Sequence, residues 1–233
     1  MFAIAIDGPA GAGKTTVAKR LAKELGFTYV DTGAMYRAVA LHMLRTGTAC
    51  ENETGLERLL KNMNLSIQNE NGDQRMFLNG EDVTDFLRTE EVSQMASKAS
   101  AKPMVRERLL NLQREAANTN NVVMEGRDIG SCILPDAQLK IFLTADASVR
   151  AKRRYLELQE KGSAVTLEGV TKELLARDER DSSRTVSPLI EVPDSFRINS
   201  DCFTVDMVVQ EIILLYTIRK SYLSKISSER SSV

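Results

Sequence analysis

The chain opens on an unbroken apolar run, Ala3-Ile4-Ala5-Ile6, closed by Asp7. A run this short and this continuous predicts a strand buried on both faces. The period then changes. Val17, Ala18, Leu21, Ala22 and Leu25 recur at the spacing of one helix face, and Gly26 stands where that helix should end. Further short apolar runs lie at Thr28–Val30, Val122–Glu125, Leu139–Leu143 and Phe196–Ile198, mostly separated by helical patterns. Strands alternating with helices predict an α/β fold, a parallel sheet covered on both faces. A last helix is expected from about Val205 to Ile218, with Thr204 as N-cap and Val205, Val208, Val209, Ile212, Ile213 and Tyr216 on its buried face. The polar tail Ser227–Val233 is expected to fray.

Two segments break this alternation. From about Leu65 to Leu87, Leu65-Ser66-Ile67-Gln68 and Met76-Phe77-Leu78 alternate in polarity, with Asn71-Gly72 and Asn79-Gly80 placed between or after them. Asn-Gly suits the positive φ angles of a tight hairpin turn, so a small antiparallel sheet is predicted, followed by a helix from about Glu90. The second segment, Arg150–Arg184, is helical and rich in arginine. Arg150, Lys152, Arg153 and Arg154 cluster early in it, and Gly162 breaks it. Arg177, Arg180, Asp181 and Arg184 then share one helix face. Neither segment is bounded by a Pro/Gly/Ser linker, so residues 1–233 read as one domain carrying two appendages, about 39–105 and about 150–184.

The chemistry begins directly after the first strand. Gly8-Pro9-Ala10-Gly11-Ala12-Gly13-Lys14-Thr15, continued by Thr16, fits the phosphate-binding pattern G-x-x-x-x-G-K-[ST] between a strand and a helix. Its glycines let successive N–H groups turn inward onto an anion, and the helix N-terminus adds partial positive charge. Lys14 is expected to reach the outer phosphates of a nucleoside triphosphate, and the Thr15 hydroxyl to hold Mg²⁺. Ligands on such sheets sit beyond the carboxyl ends of the strands. That directs attention to Asp31-Thr32-Gly33 and Gly126-Arg127-Asp128.

Composition narrows the classes. The net charge of −1 over 233 residues argues against bulk nucleic-acid or anionic-membrane binding. No apolar run approaches the roughly 18 residues of a membrane span, and the start has no signal-peptide layout. Cys50, Cys132 and Cys202 lack any C-x-x-C spacing, which argues against disulfides and a zinc site. A cytoplasmic protein is expected. His42, the one histidine, lies among Ala38, Val39, Leu41 and Leu44 and is expected to pack. Chemistry must therefore come from lysine, arginine, aspartate, backbone amides and metal. Phosphoryl transfer suits that set, being largely positioning and charge stabilisation with water excluded.

Asp31-Thr32-Gly33-Ala34-Met35-Tyr36-Arg37, Glu125-Gly126-Arg127-Asp128-Ile129-Gly130-Ser131 and Arg177-Asp178-Glu179-Arg180-Asp181-Ser182-Ser183-Arg184 resemble the signatures of the bacterial cytidylate kinases, a branch of the nucleoside monophosphate kinases. The resemblance spans nearly the whole chain. It implies a P-loop NTPase fold: a five-stranded parallel sheet flanked by helices, a monophosphate-binding insert with a small antiparallel sheet, and an arginine-bearing helical lid. The implied reaction transfers the γ-phosphoryl group of ATP to CMP or dCMP with Mg²⁺; separately, a monomer with no nucleic-acid or membrane partner is expected. By the same resemblance Gly8 to Thr16 hold the ATP phosphates. Thr32, Tyr36, Arg37 and Arg127 hold the CMP phosphate, with Thr32 standing where the family commonly has Ser. Ser97, Arg106, Asp128 and Arg184 face cytosine, while Asp181 and Arg177 meet the ribose. Arg150, Arg153 and Arg154 close over the phosphates, so that Lys14, Arg127, Arg150 and Arg154 carry catalysis.

Competing readings are weaker. Adenylate, uridylate or shikimate kinases fit the fold but not the long hairpin insert or the Gly-Arg-Asp. A GTPase switch would need an N-K-x-D sequence, which is absent. RNA binding through the basic cluster conflicts with the near-neutral charge and the scarcity of aromatics beside it.

Overall fold

A computed structural model describes residues 1–70, 73–118, 120–160 and 162–230, with the backbone alone at 227, 229 and 230. In chain order it runs β1 (Ala3–Asp7), α1 (Lys14–Leu25), β2 (Thr28–Asp31), α2 (Thr32–Thr46) and α3 (Glu53–Asn62). The small strands β3 (Leu65–Glu70), β4 (Asp73–Leu78) and β5 (Glu81–Asp82) follow, then α4 (Glu90–Ala99) and α5 (Pro103–Ala117). β6 (Val122–Glu125), β7 (Leu139–Thr144), α6 (Ala147–Glu160), α7 (Leu167–Ser183), β8 (Phe196–Asn199) and α8 (Val205–Arg230) complete it.

β1, β2, β6, β7 and β8 form one parallel sheet in the order β2-β6-β1-β7-β8. β1 lies at its centre, with Ile4 opposite both Val123 and Leu139. Side chains alternate across a strand, so β1 feeds two cores. Ile4 and Ile6 join Val17 and Leu21 of α1 and Val208 and Ile212 of α8. Ala5 faces the other way, among Met35, Val39 and Met43 of α2 and Leu109 of α5. This two-sided burial explains the continuous apolar runs.

β3, β4 and β5 make the antiparallel sheet, paired from Leu65↔Leu78 to Glu70↔Asp73 and closed by Leu78↔Glu81. Asn79 (φ 52°) and Gly80 (φ 86°) turn the second hairpin with the positive φ values that Asn-Gly tolerates. Asn71-Gly72 lies outside the described residues. Gln74, Met76 and Leu78 of β4 point inward. α6 and α7 form the arginine-rich segment, broken at Gly162 (φ 75°).

α8 departs from expectation. It continues past Ile218 to Arg230, so Ser227 to Arg230 are helical, and residues 231–233 lie outside the described residues. The apolar face told where the helix packs, not where it ends, and no Gly or Pro follows Ile218 to stop it. Val205, expected on the buried face, is exposed because it opens the first turn; Val208, Val209 and Ile212 are buried. Among the described residues no helix is long and apolar enough to cross a membrane.

Candidate functional site

At the carboxyl ends of β1, β2 and β6 the chain encloses a cavity of about 720 Å³, walled by the glycine loop, the start of α2, the Gly126–Asp128 turn, α4, α5 and the arginine-rich helices. The loop's sharpest constraint is Gly8. At φ 149°, a Cβ there would sit 1.9 Å from the Leu143 carbonyl oxygen, so no side chain fits. The loop delivers Lys14 to the first position of α1. Lys14 is buried, and its Nζ donates to the carbonyls of Gly8 and Pro9 at 2.8 Å each. Burial, reinforced by the nearby Arg127, pushes its ammonium down to about 7. Ala10 to Thr16 line the cavity; Gly8 and Pro9 lie behind it and shape the loop.

The wall made by α2, the Gly126–Asp128 turn and α5 is built on buried acids. Asp31 caps α2 by accepting from Ala34 N (2.9 Å) and pairs with Arg37 Nη2 (2.7 Å). The Thr32 hydroxyl donates to the Glu125 carbonyl at 2.8 Å, so it can donate to a phosphate only by giving up that bond. Gly126 allows this approach, since a Cβ there would meet Thr32 Oγ1 at 2.6 Å. The Glu125 carboxylate accepts from the Tyr29 hydroxyl (2.6 Å), and burial, then repulsion from Asp31, raises its pKa. Arg106 and Asp128 form a buried ion pair, and Arg106 also donates to the Ser100 carbonyl at 3.1 Å. Its guanidinium lies 5.5 Å from the Tyr36 ring centroid. Burial raises the Tyr36 hydroxyl to about 12, which keeps it protonated.

Arg37 Nε, Ser97 Oγ, Arg106 Nε, Arg177 Nε and Arg184 Nη2 are buried without a hydrogen-bond partner, and all five residues line this cavity. Buried polar atoms left unpaired are rare in proteins. Five around one cavity describe a site for a ligand rich in acceptors.

The arginine-rich helices meet the core through Arg127, whose Nε donates to Asp181 Oδ2 at 2.8 Å. Burial alone would raise the Asp181 pKa, but Arg127 and then Arg184 (3.7 Å) outweigh it and hold it low. The sequence pairs Asp181 with Arg177 at helical spacing; the structure pairs it with Arg127. Arg177 has its Nε unpartnered instead, and burial, then Arg127, lowers its pKa to about 10. Arg180 shares the face but is exposed, donating from Nε to the Ala176 carbonyl at 3.2 Å.

Arg150 requires a second correction. Expected among cations over the phosphates, it is buried and absent from the cavity wall. It donates to the carbonyls of Ala145 (2.8 Å) and Ala10 (3.0 Å) and pairs with Asp178 at 2.5 Å. The first turn of α6 packs so closely on the glycine loop that a Cβ at Gly11 would meet Arg150 Cβ at 3.1 Å. Arg150 therefore shapes the loop from outside. Arg153 and Arg154 do line the cavity, Arg153 bonded to Ser200 O at 2.6 Å and Arg154 to Glu157 at 2.9 Å.

Sequence reading assigned no site role to Asp7, Asp31, Glu125 and Asp178, although it quoted the last three within motifs and directed attention to Asp31 at its strand end. The first three share a signal: each is the lone acid closing a buried strand at the ligand-facing edge. Asp7 accepts from the amides of Ile129 (2.8 Å) and Gly130 (2.7 Å), and burial raises its carboxyl to about 6 despite those bonds. Phe203 and Val205, also missed, line the cavity beyond the glycine loop. Among the described residues no cluster of three or more acids, histidines or cysteines could hold a metal alone. The Thr15 hydroxyl beside the Glu125 carboxylate does offer hard oxygen donors, which suit an ion carried in by phosphates.

The sequence model of one family, described as cytidylate kinase, matches residues 4–218. A "Cytidylate kinase" of Carboxydothermus hydrogenoformans is 47% identical over 210 residues, covering 90% of this chain and 95% of that protein. A "Cytidylate kinase" of Pelotomaculum thermopropionicum is 49% identical over 212 residues, covering 90% of this chain and 93% of that protein.

Proposed function

The chain belongs to the cytidylate kinase family, and from that premise we propose that it transfers the γ-phosphoryl group of ATP to CMP or dCMP, giving ADP and CDP or dCDP. The observation that carries this reading is the set of five side chains around one cavity that each keep a buried polar atom without a hydrogen-bond partner, next to a complete phosphate loop.

The backbone amides of residues 11–16 and the N-terminus of α1 cradle the ATP phosphates. Lys14 exchanges the Gly8 and Pro9 carbonyls for phosphate oxygens. Its near-neutral pKa rises again as that negative charge arrives, because an opposite charge favours the ammonium. Thr15 would hold Mg²⁺ with Glu125 behind it, and the ion would neutralise charge on the transferring group. Phe203 and Val205 offer the donor base an apolar rest.

On the acceptor side Arg37 presents Nε to the CMP phosphate while Nη2 stays on Asp31. Arg127 approaches the same phosphate from the turn after β6. Cytosine offers O2 and N3 as acceptors, which suit Arg184, Arg106 and Ser97, and an amino group that Asp128 can accept. The attacking phosphate oxygen is already ionised, so no general base is needed. Arg154 and Arg177 approach from the lid and help to exclude water. In this reading residues 39–105 form the monophosphate-binding insert and 150–184 the lid of a single domain, and the enzyme works in the cytoplasm on small nucleotides.

The test is ADP formation from ATP and Mg²⁺ with each nucleoside monophosphate in turn. CMP and dCMP should be the best acceptors. Equal rates with AMP, or hydrolysis unaffected by any acceptor, would overturn the proposal.

A further inference from the structure

Gln74 lies on β4 of the small sheet and is 9% exposed. Its Oε1 accepts from Asp31 N at 2.8 Å, and its Nε2 donates back to Asp31 O at 3.2 Å. One carboxamide therefore satisfies both backbone groups of Asp31, as an adjacent strand would. β2 is the edge of the main sheet, so no further long strand is there to do this. What Gln74 holds is the root of the acceptor site. The Asp31 side chain caps α2, whose first turns carry Thr32, Tyr36 and Arg37, and it fixes the Arg37 guanidinium at 2.7 Å.

We infer that Gln74 is a positioning residue for the acceptor phosphate: it clamps the Asp31 backbone, which aims the carboxylate that orients Arg37. The inference rests on CMP being the acceptor. It gives the small sheet a part in substrate binding through one side chain that touches no substrate. Buried amide pairs of this kind hold their geometry because leaving either partner unpaired is costly. The neighbouring Lys19–Asp73 pair (2.6 Å) also links this sheet to the main body, but it is solvent-exposed and leaves Asp31 untouched.

The test compares Gln74→Met, which keeps length and shape but removes the amide, with Asp73→Asn, which removes the exposed pair. In Gln74→Met the KM and Kd for CMP should rise about tenfold, equivalent to roughly 1.4 kcal/mol, with kcat and KM for ATP little changed, while the melting temperature falls because the Asp31 amide and carbonyl are left unpaired. Asp73→Asn should match the wild type. Titrating CMP and ATP into the same sample guards against partial unfolding, because an inactive fraction alters stoichiometry and not the ratio of the two constants. An unchanged CMP constant in Gln74→Met, or CMP and ATP constants rising together, would overturn the inference. Failure of the wild type to phosphorylate CMP would instead overturn the acceptor assignment.

Discussion

Arg127 Nε and Asp181 Oδ2 meet at 2.8 Å on the cavity wall, joining the loop after β6 to α7. The cation assigned to the acceptor phosphate and the acid assigned to the ribose are thus one pair. Binding of CMP must insert between their roles, and substitutions at either residue reach both.

Asp181→Ala should therefore lower kcat/KM for CMP by about 1.5–3 kcal/mol, the range for a hydrogen bond to a charged group. The loss with dCMP should be smaller if the 2′-hydroxyl is the main contact, and the KM for ATP should stay nearly fixed. Asp181→Asn separates the two roles, since it keeps an acceptor for the sugar but takes the charge from Arg127. Equal losses with CMP and dCMP in that variant would assign the effect to Arg127 and the phosphate.

Lys14→Ala should reduce kcat on the order of 10³-fold or more, by the magnitude that one cation on a transferring phosphoryl group commands. Equilibrium binding of CMP should be nearly unaffected. Near-normal turnover at saturating substrates would remove Lys14 from the reaction.

Asp128→Asn should narrow the ratio of kcat/KM between CMP and UMP, because uracil lacks the amino group that Asp128 accepts. The same substitution removes the charge from a buried pair with Arg106. Breaking such a pair outright costs about 3–5 kcal/mol, so a melting curve must accompany the kinetics. If both rates fall together at a constant ratio, Asp128 supports Arg106 and does not read the base.

Arg150 and Arg154 should divide cleanly. Arg150→Ala takes a buried donor from the Ala10 and Ala145 carbonyls and leaves Asp178 only the Ala10 amide, so it should destabilise the fold by about 3–5 kcal/mol. Arg154→Ala removes a half-exposed pair worth about 0–1 kcal/mol, so its effect should fall on turnover and not on melting. Denaturant titration beside single-substrate kinetics checks both.

The buried Asp7 carboxyl gives stability a pH dependence of definite sign. Its folded pKa of about 6 lies above the 3.8 of a free aspartate, so the native state holds this proton more tightly than the unfolded chain. Its contribution is greatest below pH 3.8 and is lost as pH rises through 6, by on the order of 3 kcal/mol. The stability of wild type relative to Asp7→Asn should therefore decline between pH 4 and pH 7. A flat difference would show that Asp7 ionises as a free carboxyl does.

The parts of this molecule that were legible in the sequence are those written in a local code. The buried strands, the glycine loop, the Asn79-Gly80 turn and the Gly26 and Gly162 breaks each follow from spacing or from backbone freedom. Pairings across the fold carry no such code. Asp181 and Arg177 are four residues apart and looked like partners, but a guanidinium from the loop after β6 reaches the carboxylate instead. Arg150 looked like a mobile cation because only its neighbours in sequence were visible; the packing of α6 on Gly11 buries it. Gln74 carried no signal at all, since its partner is a backbone amide 43 residues away.

The sheet's two margins differ in their exposure to other chains. An edge strand offers unpaired amides and carbonyls on which a foreign strand can add, the first step of aggregation. At β2 the Gln74 carboxamide occupies the last such pair. β8, at the opposite margin, has no small sheet beside it; it is four residues long, with an exposed arginine, Arg197, next to an exposed Phe196. β2 is equally short, so what differs is the cover: charge protects β8, whereas a glutamine from the small sheet caps β2. Loss of Gln74 would open β2 to pairing between molecules, so solubility during expression would report on the same side chain that aims Arg37.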